Sequence, residues 1–161
     1  MAEIKVARVD FRLVHGQIIT KWIKYYPVNR IVVVDDALAN DDFMKEIYEM
    51  AVPKGTKFKV VTLNEAKDTL DQLDETVFLL FKDVKTCAKA VELGMRFSFL
   101  VIGGVPGGDE RKVISDGICL SLGEMEQLEA VQEVMPETEI VFKGIPEEAT
   151  ITLRKAKEKF K

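Results

Sequence analysis

Short unbroken apolar runs alternate along the chain with stretches whose apolar residues return every three or four positions. The runs at residues 4–9, 30–34, 57–62, 76–81, 97–102, 116–122 and 139–143 read as strands. Two of them, 30–34 and Val77-Phe78-Leu79-Leu80-Phe81, lack polar alternation, as expected for strands covered on both faces of a parallel sheet. Between them the helical period predicts helices over 16–26, with Ile18, Ile19, Trp22 and Ile23 on one face, and over 41–51, with Phe43, Met44, Ile47 and Met50 on one side. Further helices are predicted from a Thr62 or Asn64 cap towards Leu73, from Asp83 to Gly94, and over 124–134 and 147–160. The punctuation agrees. Pro27 cannot continue a helix, Pro53-Lys54-Gly55 forms a turn, and Gly94 suits a left-handed C-terminal stop.

Such alternation predicts an α/β protein: one domain over residues 1–161, built on an open, mostly parallel twisted sheet with helices on both faces. Ligands of such folds gather at the carboxyl ends of the strands. Three segments should meet there: 10–15, Asp35-Asp36 and the glycine-rich 103–108, read as a loop.

A length of 161 residues suits one full core. A net charge of −4 argues against a general nucleic-acid binder, which is ordinarily strongly basic. No apolar run reaches membrane-spanning length and the N-terminus has no signal-peptide pattern, so a cytoplasmic protein is expected. Cys87 and Cys119 belong to no CxxC or Cys/His cluster, which predicts buried free thiols and no metal.

Candidate chemistry concentrates in Arg8-Val9-Asp10-Phe11-Arg12-Leu13-Val14-His15-Gly16-Gln17, which ends the first strand and opens the first helix. It holds the only histidine of the chain, with two arginines within seven residues. A neutral imidazole nitrogen can attack phosphorus and hold a phosphoryl group as a labile phosphoramidate. Guanidinium forks bind phosphate oxygens in bidentate fashion, and their charge disfavours the imidazolium. Gly16 removes bulk where helix N–H groups would face an anion. Asp10 either holds an arginine or fixes the histidine tautomer. From spacing alone, blander readings compete. A lone histidine at a strand–helix junction is most often a surface or capping residue, and Asp35-Asp36 is more often a cap than a carboxylate pair. Trp22, Tyr25 and Tyr26 read as core and rim, and the basic run 155–161 as a solvated helix end. The glycine-rich loop matches neither GxGxxG nor GxxxxGK[ST], so no nucleotide cradle or other cofactor site is expected.

The run Arg8-Val-Asp-Phe-Arg12-Leu-Val-His15-Gly-Gln17, followed by Thr20-Lys21-Trp22, closely resembles the active-site signature of the IIB components of the mannose/fructose/sorbose family of the bacterial phosphoenolpyruvate-dependent sugar phosphotransferase system. Residues 31–36 with Ala37 and Asp41, Val101-Ile102-Gly103-Gly104, 116–122 and Phe142-Lys143-Gly144-Ile145-Pro146 resemble later segments of that family, so the likeness covers essentially the whole chain. The resemblance implies an open, mostly parallel α/β fold and a protein-N(pi)-phosphohistidine–sugar phosphotransferase subunit. It implies that His15 accepts a phosphoryl group from a phosphohistidine of a IIA partner and passes it to a sugar entering through membrane components IIC and IID. It implies that Arg8 and Arg12 stabilise the transferred group and that Gly103 and Gly104 lie close to the site. Nδ1 is the ring nitrogen the family favours. Mannose, fructose, sorbose and N-acetylgalactosamine remain open as substrates, with the Lys143-Gly144-Ile145-Pro146 turn similar to that of the last branch.

Two positions depart from the signature. Phe11 stands where an acid is usual, which removes a charge and offers an apolar contact to IIA. Leu100 stands where asparagine is frequent. A histidine acid phosphatase would need Arg and His adjacent and a second histidine; this chain has neither. A regulatory or sensor module with the same fold, and a plain small-ligand domain, are the other readings.

Overall fold

The structure, a computed structural model, describes residues 1–161 apart from the side chains of Gln17 and Ile18. The share of Ile18 in the first helix's apolar face therefore lies outside the described residues. Strands β1 (Glu3–Asp10), β2 (Arg30–Val34), β3 (Lys57–Val61), β4 (Thr76–Phe81), β5 (Phe99–Gly104), β8 (Glu139–Phe142) and β9 (Ile151–Thr152) form one sheet in the order β3-β2-β4-β1-β5-β8-β9. All its pairings are parallel except that of β9 with β8. A separate antiparallel hairpin joins β6 (Arg111–Ser115) to β7 (Ile118–Ser121).

The unbroken apolar runs sit where a two-faced sheet requires them. Along β4, Val77, Leu79 and Phe81 enter one core while Phe78 and Leu80 enter the other, all fully buried. Helices α1 (Gly16–Tyr25), α2 (Asp36–Ala39) and α3 (Asp42–Met50) cover one face through Ile19, Trp22, Leu38, Met44 and Tyr48. Helices α4 (Leu63–Gln72), α5 (Val84–Glu92), α6 (Leu122–Val134) and α7 (Leu153–Lys157) cover the other, through residues such as Leu70, Cys87, Leu128 and Ala156. The division follows from right-handed crossovers. Connections from β1 to β2 and from β2 to β3 travel one way along the sheet, and those from β3 to β4, β4 to β5 and β5 to β8 travel the other. Chains leaving the carboxyl ends of the neighbours β1 and β5 therefore part to opposite faces, and a crevice opens between them.

Three expectations need correction. The turn Asp116-Gly117, with Gly117 at φ +76°, takes the first residues of the expected strand 116–122, which begins only at Ile118 as β7, and the segment before the turn forms β6. The helix expected over 147–160 begins only at Leu153, because Ile151–Thr152 first pairs with β8 and the Thr152 side chain then accepts from the Lys155 N–H as N-cap. The cap reading of Asp35-Asp36 holds, and the helix that Asp35 caps is the short additional α2. In α3 the side facing the core is Met44 and Tyr48, whereas Phe43, Ile47 and Met50 face outward.

Candidate active site

At the end of β1, alternation sends Arg8 and Asp10 to the same side of the strand, and both are fully buried. A buried arginine and aspartate are tolerable only as a pair, and Arg8 Nη2 donates to Asp10 Oδ2 at 3.0 Å. The other arm of the fork, Nη1, donates to the Lys143 carbonyl at 3.2 Å, and the guanidinium lies 5.2 Å from the centroid of the Trp22 ring. Trp22 in turn donates from Nε1 to the Gly144 carbonyl at 2.8 Å. Lys143-Gly144 is thus anchored to both β1 and α1 by its backbone carbonyls.

Room for these groups comes from β5. A Cβ on Gly103 would stand 2.0 Å from Arg8 Cζ, and one on Gly104 would stand 2.6 Å from Asp10 Oδ1. The two glycines are therefore set by close approach and not by a bend. They lie in strand β5 and not in a loop as the sequence suggested, and the Gly104 carbonyl accepts from the Phe11 N–H at 3.1 Å. The departure at Leu100 is also accounted for, since its side chain is buried in the core on the α4–α7 face.

Asp10 also holds the second arginine. Its Oδ1 accepts from the Arg12 backbone N–H and from Nε, each at 3.0 Å, and its Oδ2 accepts from Arg12 Nη2 at 3.1 Å. The alternative left open for Asp10 is thereby resolved towards arginine holding, with both guanidiniums on one carboxylate. Burial alone would raise the Asp10 pKa, but the hydrogen bonds from Arg12 and the charge of Arg8 outweigh it and hold the carboxyl below its ordinary value. Burial lowers the pKa of Arg8, and Asp10 opposes that shift. Unlike Arg8, Arg12 keeps 41% of its side chain exposed, at the rim and over the half-exposed Phe11 ring.

The loop then turns inward at Leu13, the one described non-glycine residue with positive φ, at +55°. That conformation costs roughly 1–2 kcal/mol in an L-residue. It is held by the Leu13 N–H donating to the Asp10 carbonyl at 3.0 Å and by burial of the Leu13 side chain in the α1–α3 core. It also aims the Leu13 carbonyl at His15, whose Nδ1 lies 3.0 Å away, so that in this arrangement the ring proton sits on Nδ1. Nε2 is buried without a hydrogen-bond partner, 3.8 Å from Asp10 Oδ2. Burial, with help from the two arginine charges, lowers the His15 pKa against the opposing pull of the Leu13 carbonyl and Asp10, so the ring is neutral at pH 7.

His15 is also the N-cap of α1, but its side chain caps nothing. Helices α2 to α7 begin on Asp35, Asp41, Thr62, Asp83, Ser121 and Thr152, each accepting from a first-turn N–H. At α1 those N–H groups have no side-chain acceptor from the cap, and a Cβ on Gly16 would meet nothing within 4 Å. The structure thus gathers Arg8, Asp10, Phe11, Arg12, His15, Gly16, Gly103 and Gly104 at one point. Asp35 and Asp36 are consumed as structure: Asp35 accepts from the Leu38 N–H and Asp36 from the Leu63 N–H. What sequence reasoning missed is the part played by Trp22, Lys143 and Gly144. Among the described residues no group of His, Cys, Asp and Glu is placed to hold a metal ion. No described helix is long and apolar enough to cross a membrane.

The chain is similar to known proteins over nearly its whole length. The family model described as PTS system sorbose subfamily IIB component matches residues 4–160. The sorbose-specific EIIB component of Klebsiella pneumoniae is 31% identical over 135 residues, covering 82% of this chain and 80% of its own length. The fructose-specific EIIB component of Bacillus subtilis (strain 168) is 29% identical over 136 residues, covering 83% of each. The crystal structure of manxB from Thermoanaerobacter tengcongensis superposes with a TM-score of 0.93 at 39% identity, over 99% of this chain and 98% of that one.

Proposed function

The chain belongs to the sorbose subfamily of phosphotransferase-system IIB components, phosphoryl-transfer components of sugar uptake, and we propose that His15 is the residue that carries the phosphoryl group. The observation that supports this most is the combination of a neutral histidine, an α1 N-terminus without a side-chain cap and a half-exposed arginine at one strand edge.

In the first half-reaction a ring nitrogen of His15 attacks the phosphorus held by a phosphohistidine of the IIA partner. The new P–N bond forms as the donor's P–N bond breaks, and the donor nitrogen keeps the electron pair. In the second, a sugar hydroxyl attacks the phosphorus as the P–N bond to His15 breaks; the electron pair returns to the ring nitrogen, and the hydroxyl's proton ends on the ring and restores neutral imidazole. Charge spreads over the three non-bridging oxygens in both. Arg12, exposed and already oriented by Asp10, is the group that meets them. Arg8 is fully buried and acts one step behind, holding Asp10 in place. This divides a role that the resemblance assigns to both arginines. Acceptance at Nδ1 requires the ring to leave the Leu13 carbonyl with its proton moved to Nε2.

The donor is then a IIA component, the recipient is a sugar entering through IIC and IID, and the site of action is the cytoplasmic face of the membrane. Phe11, beside Arg12 at the rim, is a contact for the donor. The sugar belongs to the mannose, fructose, sorbose or N-acetylgalactosamine class.

The test is intact mass after incubation with phosphoenolpyruvate, the general phosphotransfer proteins and the cognate IIA, followed by mild acid. An acid-labile gain of one phosphoryl group, absent in His15→Gln with an unchanged circular-dichroism spectrum, is the expected outcome. Undiminished uptake in His15→Gln would overturn the assignment. A pure sensor would take up the group and keep it when IIC, IID and sugar are added.

A further inference from the structure

Helix α3 is apolar over a wider arc than its core needs. At 100° per residue, Met44, Tyr48 and Ala51 cover one side and pack inward, while Phe43, Ile47 and Met50 cover the next. This second set is exposed, Phe43 by 71%, Ile47 by 38% and Met50 by 79%. Their spacing of i, i+4 and i+7 is that of anchors presented by one helix face to a partner. Single exposed apolar residues are ordinary, but three adjacent large ones mark an interaction surface.

The rim of this face says what can cover it. Glu46 and Glu49 border the same shallow depression as Phe43, Ile47 and Met50. Asp42, 95% exposed, is paired with Lys45 at 3.1 Å, and Lys45 also donates to the Ala39 carbonyl of the preceding helix, which leaves Glu46 and Glu49 as the rim carboxylates without an ion pair among the described residues. A second copy of this chain would set carboxylates against carboxylates, and an anionic lipid surface would be repelled. The matching partner has an apolar face rimmed by Lys and Arg. Cytoplasmic segments of membrane proteins have that chemistry, because positive charge accumulates on their cytoplasmic side.

We propose that the outer face of α3 is the docking surface for a basic, apolar-faced cytoplasmic segment of the IIC or IID component. The proposal rests on the delivery role argued above. Position favours it as well. The inner residues of α3, Met44 and Tyr48, share a shallow cleft with Leu13 of the histidine loop. A partner seated on α3 therefore lies about one helix diameter, roughly 10 Å, from that loop and leaves the rim around Arg12 open.

The experiment compares the parent with Phe43→Ser/Met50→Ser and with Glu46→Lys/Glu49→Lys. It measures co-sedimentation with inverted membrane vesicles carrying the cognate IIC and IID, beside empty vesicles of the same anionic lipid. All four positions are on the surface, so both variants should fold, as checked by circular dichroism. Expected are binding of the parent to transporter vesicles only, weakened by salt, and a loss of at least about tenfold in each variant. Phosphoryl uptake from IIA, read by mass, should be the same in all three proteins. Equal binding of parent and variants would overturn the proposal, as would no binding of the parent or binding to empty vesicles. A parent dimer abolished by the serine variant, or slower uptake from IIA in either variant, would assign the face to another partner and overturn it too. Failure of uptake in the parent would count against the phosphoryl role of His15 and would leave the vesicle binding to be judged separately.

Discussion

Asp10→Asn keeps the shape of the side chain and deletes the charge on which Arg8 and Arg12 converge. The fully buried Arg8 guanidinium would then retain the Lys143 carbonyl and at most one amide oxygen. Breaking a buried pair by neutralising one partner costs about 3–5 kcal/mol. Arg12 is part-exposed and its ion pair contributes at most about 1 kcal/mol. Because asparagine keeps one acceptor, the lower end applies, about 3 kcal/mol. In a protein of this size each kcal/mol moves Tm by about 2–4 °C, so a fall of about 6–12 °C is expected by circular dichroism at pH 7. The pH dependence has a definite sign. The folded pKa of Asp10 lies below its unfolded value of 3.8, so its stabilisation is present above that value and is lost as pH falls towards the folded pKa. The gap between parent and variant should close over the same interval. Adding Arg8→Met to the variant should recover part of the loss, since no uncompensated buried charge remains. A Tm for Asp10→Asn within about 2 °C of the parent would refute the view that this carboxylate neutralises a buried cation.

Two further outcomes are expected. Gly103→Ala places a methyl group inside the Arg8 guanidinium, and overpacking of about 1–3 kcal/mol plus displacement of Arg8 should lower both the urea midpoint and the rate of phosphoryl uptake; the loss should be confined to stability if Arg8 has no part in holding the site. Burial sets the folded pKa of His15 below the unfolded 6.5, so the unfolded chain takes the proton first and stability falls as pH drops from 6.5 to the folded value. Nitrogen-15 NMR of the imidazole should show a titration midpoint below 6.5 and, at pH 7, a predominantly neutral ring with its proton on Nδ1, with uptake declining as the imidazolium forms; a predominantly charged ring at pH 7 would contradict the arrangement.

The parts of the fold legible in the sequence are those where one residue's chemistry decides its place. β2 and β4 emerge at their observed bounds because an unbroken run of β-branched and large apolar residues fits few places other than a covered strand. Asp83 and Thr62 were readable as caps, Thr62 completing a reciprocal box with Glu65. The hairpin was harder, since β6 buries little besides Ile114 and offers scant alternation. The Asp116-Gly117 pair was its only signal. In α3 the periodicity announced a helix without saying which half of its apolar arc faces the core. At the site, His15 and the arginines were visible as chemistry, but the division of labour between Arg8 and Arg12 depends on burial. Gly103 and Gly104 read as a flexible loop because composition does not separate a glycine needed for bending from one needed for room.

The partners of Arg8 arrive late during synthesis. The histidine loop is made first, Gly103 follows far behind, and the carbonyl of Lys143 comes 135 residues after Arg8. At about 5–20 residues per second, that last partner is joined to the growing chain roughly 7–27 s after the arginine. Throughout that interval the nascent polypeptide displays a histidine and two arginines with no receptacle around them. The strand edge that surrounds His15 closes only when β5 and β8 are laid against β1, so a half-made chain lacks the assembled pocket in which the proposed phosphoryl transfer would take place.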